Sequence, residues 1–208
     1  MINTRSDNKS FIYSSPLIYQ LTMRLLYRCG FGSRYEAIAK YIPDHASVVD
    51  VCCGDCYLFH HYLKYKAVDY IGLDINRSFV NDALKRGVKA KLFDINIDPL
   101  PSAEYIIMQA SLYQFIPNQK TILDKLFNSA TRGVIITEPI RNLSDSKNPV
   151  IAFIARRAAN PGSGHAKNRF DENSLLQLLK SRQQPISTCF KIKGDKELVA
   201  IFEIKDTK

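Results

Sequence analysis

The densest set of chemically versatile side chains in this sequence follows a short β-branched run. The segment SVVDVCCGDCYLF, residues 47–59, contains three cysteines, two aspartates and one glycine. Cys53, Cys56 and His60 have a C-x2-C-x3-H spacing that could bind zinc. A C-x-x-C pair at the start of a helix could be redox-active, and small residues in such a turn could instead cradle a ligand. The elements around the segment decide among these three chemistries.

Short runs rich in β-branched residues alternate with segments of helical period, which predicts a parallel sheet with crossover helices. The predicted strands are 47–51, 69–74, 88–94, 104–109, 133–139, 186–192 and 198–204, and the predicted helices are 57–66, 77–86, 118–130 and 171–182. Only KGDKE joins the last two strands, which is too short for a parallel crossover. We therefore expect an α/β, Rossmann-like sheet of seven mostly parallel strands with an antiparallel C-terminal hairpin and helices on both faces.

The cysteine-rich segment occupies the first turn from strand to helix, the usual ligand site of such a sheet. Asp74, at the end of the next predicted strand, follows Gly54 by 20 residues. That spacing is typical of a carboxylate that accepts hydrogen bonds from ribose hydroxyls. No second C-x2-C or H-x3-H pair follows at zinc-finger spacing, and no thioredoxin-like context surrounds the thiols. The sequence thus favours a nucleoside loop, with no metal, over a zinc or redox site.

Four segments resemble, in order and spacing, the motifs of the class I S-adenosylmethionine-dependent methyltransferases of small-molecule type. They are VVDVCCGDC, YIGLDIN, KLFDI and IIMQASLYQF. The resemblance extends over residues 35–204 and includes the terminal antiparallel pair. It implies an enzyme that binds S-adenosylmethionine and transfers its methyl group in line to an acceptor. The fourth segment lacks the Asn/Asp-Pro-Pro-aromatic signature of many nucleic-acid amino methyltransferases, so a small metabolite, anionic or lipid-linked, is the expected substrate.

The resemblance also assigns cofactor-binding residues. They are Asp50, Cys52 and Gly54 for the methionine part, Asp74 with its neighbour Ile75 for the ribose, Asp94 and Ile95 for the adenine amine, and Gln109 and Ala110 for the floor near the sulfonium. Family members commonly have glycine where this chain has Cys52 and Cys56. A Cβ is strained at positive φ, so these two cysteines would cost stability if the turn keeps its usual conformation.

The acceptor side is expected in a long insertion, residues 140–170, after the fifth strand. His165 in GSGHAKNRF is the candidate general base, and Arg156 and Arg169 are candidates to bind a carboxylate or phosphate bidentately. Tyr113 could shape the pocket or lie over the cationic sulfonium. Each has a plainer alternative, as an exposed histidine, a solvated charge or a packing residue.

Composition limits the class of protein. The 208 residues carry a net charge of +9, and the five cysteines form an odd, clustered set rather than a disulfide framework. No N-terminal h-region or membrane-length apolar run is present. We expect one soluble, cytoplasmic domain over residues 1–208, with reduced thiols and anionic partners.

The sequence leaves several alternatives open. Residues 1–42 contain apolar residues at helical spacing, and this helix, ended by Gly30 and Gly32, either packs on the sheet or forms a lid. The alternative hypotheses are an RNA methyltransferase or RNA-binding protein that uses the basic surface, a non-catalytic member of the fold, and peripheral membrane contact through residues 11–30 or 149–159. The oligomeric state is not readable from these patterns.

Overall fold

A computed structural model of the protein describes residues 18, 20–22, 32–141, 169–192 and 194–204. Its centre is a seven-stranded sheet of β1 Ser47–Val51, β2 Asp69–Asp74, β3 Ala90–Leu92, β4 Ala103–Gln109, β5 Ala130–Pro139, β6 Thr188–Lys191 and β7 Glu197–Glu203. The strand order is β3-β2-β1-β4-β5-β7-β6. The first five strands pair in parallel, and β7 lies antiparallel between β5 and β6. The predicted Rossmann-like sheet and its antiparallel C-terminal pair are confirmed.

Helices connect most of these strands. They are α1 Ser33–Ala39, α2 Arg77–Lys85, α3 Gln119–Ser129 and α4 Glu172–Lys180, together with a π-helical turn at Phe59–Leu63 and 3-10 turns at Lys64–Lys66 and Leu112–Phe115. Side-chain caps fix two of the helix starts. Asn76 accepts a hydrogen bond from the Ser78 N–H at 3.0 Å, and Asp171 with Ser174 forms a capping box that begins α4.

Both faces of the sheet are buried, as a largely parallel sheet requires. Along β4, Ile106 and Met108 belong to the core on one face, and Ile107 belongs to the core on the other. Helices α3 and α4 close the first core, to which Leu126 contributes, while α1 closes the second through Ile38. All five side chains are fully buried, and each contributes about 1.5–3 kcal/mol by leaving water.

The structure departs from several predicted element boundaries, among them those of β3, of the helix at 57–66 and of the helix expected to end at Gly32. β3 is shorter than the predicted 88–94, since it lies at the sheet edge and Val88 instead bonds back to α2 through Ala83. The helix predicted at 57–66 is wound as the π and 3-10 turns, where Tyr57 and Phe59 pack against the second core. Gly32, expected to end a helix, directly precedes α1.

Parts of the sequence analysis fall on residues that the structure does not describe. In the N-terminal segment, residues 18 and 20–22 are helical, whereas Gly30 lies outside the described residues. Most of the insertion at 140–170 and all of 149–159 lie outside them as well. The division into one domain with an N-terminal segment and an insertion therefore stays a prediction. Among the described residues, no helix has the length and apolarity needed to cross a membrane.

Two alanines give a matched test of the backbone conformation. Ala67 is exposed and ends the 3-10 turn at φ +50°, where a Cβ is strained by about 1–2 kcal/mol. We expect Ala67→Gly to raise the free energy of unfolding by about 0.5–1 kcal/mol after the extra chain entropy of glycine is subtracted. Ala37→Gly, inside α1, should lower it by about 1 kcal/mol. Urea denaturation of both variants measures the two signs, and a destabilising Ala67→Gly would contradict the left-handed assignment.

Candidate functional site

A cleft opens at the carboxyl ends of β1, β2 and β4, the edge at which an open parallel sheet binds ligands. Its wall combines the start of α1, the turn after β1, the turn from β2 into α2 and the turn after β4. Six of the residues assigned to a cofactor from the sequence lie in this wall: Cys52, Gly54, Asp74, Ile75, Gln109 and Ala110.

The turn after β1 adopts the left-handed conformation three times. Cys52, Gly54 and Cys56 have φ values of +58°, +57° and +54°. Only glycine adopts this conformation without a steric penalty, so each cysteine costs on the order of 1 kcal/mol. The turn is also tied to β2, because the Cys53 N–H donates to the Leu73 carbonyl at 3.1 Å. The cysteines thus reproduce the backbone of a glycine-rich turn at a cost in stability.

Asp74 joins the two turns that form the cleft floor. One carboxylate oxygen accepts from the Gly54 N–H at 2.8 Å, and the other accepts from the Asn76 N–H at 2.7 Å. The residue is 9% exposed and ends β2 at the rim of the cleft. A carboxylate has about four acceptor positions, two on each oxygen. The geometry suits a pair of ligand hydroxyls.

Asp50 lies behind the cleft rather than in its wall. Its carboxyl accepts hydrogen bonds from the Tyr70 hydroxyl at 3.0 Å and from the Gln109 amide at 3.5 Å. Burial raises the pKa of Asp50 to about 7. Asp50 therefore contacts the cleft only indirectly, through Gln109, which lines it.

The turn after β4 is held by a second buried carboxyl. Glu138, at the end of β5, accepts from the backbone N–H groups of Ser111, Leu112 and Tyr113 at 2.7, 2.7 and 3.3 Å. Burial raises the pKa of Glu138 to about 7. Ala110, at φ +48°, starts this turn in the left-handed region. Glu138 fixes the orientation of the cleft residues Ala110 and Ser111, a role that the sequence analysis missed.

Tyr113 and Arg169 form a stacked pair beside this turn. The Arg169 guanidinium carbon lies 3.6 Å from the centre of the Tyr113 ring. Arg169 Nη1 is buried and has no hydrogen-bond partner among the residues that the structure describes. Burial raises the pKa of Tyr113, so the phenol stays protonated and neutral. The structure brings these two predicted residues together, and neither lies in the cleft wall itself.

The cleft wall also contains charged side chains that the sequence analysis missed. Arg34, at the start of α1, donates to Glu197 of β7 at 2.8 Å and to the Tyr35 hydroxyl at 3.0 Å. Asp55 accepts from the Gln20 amide at 2.7 Å, and burial raises the pKa of Asp55. Asp55 adjoins Gly54 in the motif and could have been suggested by it. No local pattern marks Arg34, whose partner is 163 residues away.

The remaining predicted residues lie elsewhere. Asp94 accepts hydrogen bonds from the backbone and side chain of Asn96, both at 2.9 Å, and neither it nor the buried Ile95 lines the cleft. His165 and Arg156 lie outside the described residues. Within the described part of the chain, no group of three or more His, Cys, Asp or Glu side chains could hold a metal ion.

Comparison with known proteins adds a family and a fold. A family model described as methionine biosynthesis protein MetW matches residues 33–143. A comparison with curated proteins finds no match. Among solved structures, a TehB-like SAM-dependent methyltransferase from Corynebacterium glutamicum is 15% identical, with a TM-score of 0.63 over 91% of this chain and 98% of that chain.

Two further structures show how far the fold extends. Magnesium protoporphyrin IX methyltransferase from Synechocystis, solved with bound SAH, is 12% identical, with a TM-score of 0.70 over 95% of this chain and 98% of that chain. SpnF, a [4+2]-cyclase, is 10% identical, with a TM-score of 0.63 over 83% of this chain and 80% of that chain. These identities establish a shared fold, and the cyclase shows that one fold serves different reactions. Because the MetW model matches more than half of the sequence, the chain belongs to the MetW family, and it has the fold of the S-adenosylmethionine-dependent methyltransferases.

Proposed function

We propose that the protein is an S-adenosylmethionine-dependent methyltransferase that acts on a small, anionic metabolite. The arrangement of Asp74 carries this proposal. Its carboxylate is held by two backbone N–H groups at the rim of a cleft, beside a turn with three left-handed residues. A ribose presents two adjacent hydroxyls, which match the two carboxylate oxygens.

The cleft offers a place for each part of the nucleoside. Ile75 and Phe79 provide apolar surface next to Asp74, and the Ile75 side chain is 51% exposed there. An adenine ring that covers this surface removes it from water, which favours binding. Asp94 and Ile95 do not line the cleft, so contact between them and the adenine amine stays a prediction of the resemblance.

Opposite charges in the cleft wall suit the amino-acid part of the cofactor. A methionyl group carries an ammonium and a carboxylate on the same carbon. Asp55 supplies a buried carboxyl, and Arg34, although paired with Glu197, supplies guanidinium hydrogen-bond donors in the same wall. We infer that Asp55 binds the ammonium and Arg34 binds the carboxylate. Sulfonium and methyl group would then lie between them and Asp74, above Gln109 and Ala110.

Methyl transfer from a sulfonium needs little covalent assistance from the protein. The acceptor atom displaces the sulfur in line, and holding it about 3–3.5 Å from the methyl carbon supplies much of the acceleration. The turn after β4, fixed by Glu138, forms the surface on which an acceptor would be oriented. A general base is required only for an acceptor that must lose a proton, and His165 is the prediction for that role.

Arg169 supports an anionic acceptor. Its guanidinium carbon lies over the Tyr113 ring, 3.6 Å from the ring centre, and Nη1 is buried without a hydrogen-bond partner in the described part of the chain. A buried donor without a partner costs about 1–3 kcal/mol, which a carboxylate or phosphate would recover. Tyr113 thereby positions Arg169. The description of the family, methionine biosynthesis, further favours a metabolite over a macromolecule such as RNA.

Calorimetric titration with S-adenosylhomocysteine tests the cofactor site. We expect Asp74→Ala to weaken binding about 10- to 100-fold, since each hydrogen bond to a charged group contributes about 1.5–3 kcal/mol. Asp69→Ala is the matched control, because Asp69 lies exposed at the other end of β2. Undetectable binding to the unmodified protein, or equal losses in both variants, would refute the nucleoside assignment.

The amino-acid end is tested by comparing two ligands. S-adenosylhomocysteine carries the amino acid, whereas methylthioadenosine keeps the nucleoside and thioether without it. We expect Asp55→Asn to weaken S-adenosylhomocysteine about 10-fold and to leave methylthioadenosine unchanged. Asp74→Ala should weaken both ligands. An equal effect of Asp55→Asn on the two ligands would show that Asp55 supports the turn rather than the amino acid.

Acceptor recognition is tested with Arg169→Gln. Release of S-adenosylhomocysteine is measured with a panel of small carboxylates and phosphates and with their neutral amides and esters. We expect turnover of anionic members only, and a KM raised at least about 10-fold in Arg169→Gln, because the charged hydrogen bonds to the anion are lost. Arg182→Gln is the control, since Arg182 stacks on Phe127 away from the cleft. Efficient turnover of a neutral acceptor would contradict the assignment.

A further inference from the structure

Two thiols meet at the floor of the cleft. The Cys56 S–H donates to Cys53 Sγ, and the two sulfur atoms are 3.5 Å apart. Cys53 is half-buried and lines the cleft, whereas Cys56 is fully buried behind it. A disulfide bond is about 2.05 Å long, so the sulfurs would need to approach by only about 1.5 Å.

The neighbouring strand is shaped to admit both sulfurs. A Cβ on Gly72, in the middle of β2, would lie 2.8 Å from Cys53 Sγ and 2.9 Å from Cys56 Sγ. Any larger residue at position 72 would displace the thiols. Glycine inside a buried strand is itself destabilising by roughly 0.5–1 kcal/mol. The glycine that leaves this space therefore lowers the stability of the strand, and the two thiols fill the space.

The backbone conformation of Cys56 is also strained. Cys56 has φ +54°, where glycine would be unstrained, and its Cβ and sulfur are retained there despite the steric penalty. The hydrogen bonding of the turn uses backbone groups, such as the Cys56 N–H that donates to the Cys53 carbonyl at 3.1 Å. The Cys53 S–H also donates to the Gly54 carbonyl at 3.8 Å, but a thiol is a weak donor, so the sulfurs add little to the hydrogen bonding of the turn and their own chemistry suggests a further role.

We propose that Cys53 and Cys56 form a reversible disulfide when the protein meets a hydroperoxide, and that this disulfide weakens ligand binding in the cleft. The Cys53 thiolate attacks a peroxide oxygen, and the O–O bond breaks to give a sulfenic acid and hydroxide, which takes up the thiol proton as water. The Cys56 sulfur then attacks Cys53 Sγ, forms the S–S bond and releases a second water. Two thiols and one hydrogen peroxide yield one disulfide and two waters.

Cys53 is the attacking thiol because it faces the cleft, through which a small oxidant can enter. The hydrogen bond from Cys56, together with burial, holds the pKa of the Cys53 thiol well above its usual value. Thiolate is therefore scarce at neutral pH, and oxidation is slow and accelerates as the pH rises. This behaviour fits a response to sustained oxidation rather than a peroxide-scavenging activity.

Closure of the disulfide changes the site through Gly54, which lies between the two cysteines. The Gly54 N–H is one of the two donors that hold Asp74, and the Cys53 N–H holds the turn to β2. Drawing the sulfurs together shifts this part of the turn relative to Asp74. Under the proposed function, on which this step rests, Asp74 also binds the ribose. By thermodynamic linkage, a bound nucleoside must in turn disfavour the disulfide. It shifts the equilibrium between the two thiols and the disulfide toward the thiols, by the same factor by which the disulfide weakens nucleoside binding.

Peptide mapping of the oxidised full-length protein tests the disulfide directly. The reduced protein, as a Cys189→Ser variant that removes the exposed thiol on β6, is treated with hydrogen peroxide at pH 7 and pH 9, and remaining thiols are alkylated. We expect a Cys53–Cys56 linkage that dithiothreitol reverses and that forms faster at pH 9. The proposal would be overturned if this linkage failed to form at either pH, or if the disulfide formed between other cysteines instead.

Calorimetry tests the consequence for the cleft. S-adenosylhomocysteine should bind the oxidised protein at least about 10-fold more weakly than the reduced protein, and saturating ligand should slow oxidation. Cys53→Ser, which cannot form the bond, should show no change after peroxide treatment. Equal affinity in the oxidised and reduced states would overturn the coupling. Absence of binding to the reduced protein would instead refute the proposed function, while the mapping result would still decide the disulfide.

Discussion

The site depends on one carboxylate. Asp74 accepts a backbone hydrogen bond from Gly54 and another from Asn76, so a single side chain fixes the turn after β1 against the turn after β2. Neither turn is regular structure, and this bridge adds to the hydrogen bond from the Cys53 N–H to the Leu73 carbonyl, which also ties the first turn to β2. The carboxylate is nearly buried, which strengthens both hydrogen bonds by lowering the local dielectric. The Asp74 carboxylate that organises the cleft is therefore also the group that a ribose would contact under the proposed function. Because the site is organised before binding, the entropic cost of binding is reduced.

Charge is distributed unequally between the cleft and the rest of the surface. The chain as a whole carries +9, yet buried carboxyls at Asp50, Asp55, Asp74 and Glu138 lie around or behind the cleft. A cationic ligand is favoured by such a site, and it would draw Asp50, whose pKa is about 7, toward its ionised form. S-adenosylmethionine has a sulfonium charge that S-adenosylhomocysteine lacks. Under the proposed function, S-adenosylmethionine would therefore be attracted more strongly than S-adenosylhomocysteine, which would favour replacement of the product by the reactant.

The sequence predicts the sheet well because its signals are local. β-branched runs, helical periods and the short KGDKE connection each act over a few residues, and β1 and β2 begin and end where expected. The spacing of Gly54 and Asp74 also follows from one β-α-β unit. Arg34 and Glu138 escaped prediction because their roles arise from contacts between distant elements, at 163 and about 26 residues of separation. The edge strand β3 was predicted too long, because in the structure it pairs with β2 only through Ala90, Lys91 and Leu92.

The pairing of Arg34 with Glu197 has a consequence for the order in which the molecule is assembled. Glu197 begins β7, which must pair with β5 before the buried partner of Arg34 is in place. During synthesis from the N-terminus, α1 and the first five strands leave the ribosome while that partner is still missing. The wall of the cleft at α1 is therefore completed late, although α1 precedes all seven strands in the sequence. Arg34 is thus fixed in the cleft wall only in protein whose synthesis has reached β7.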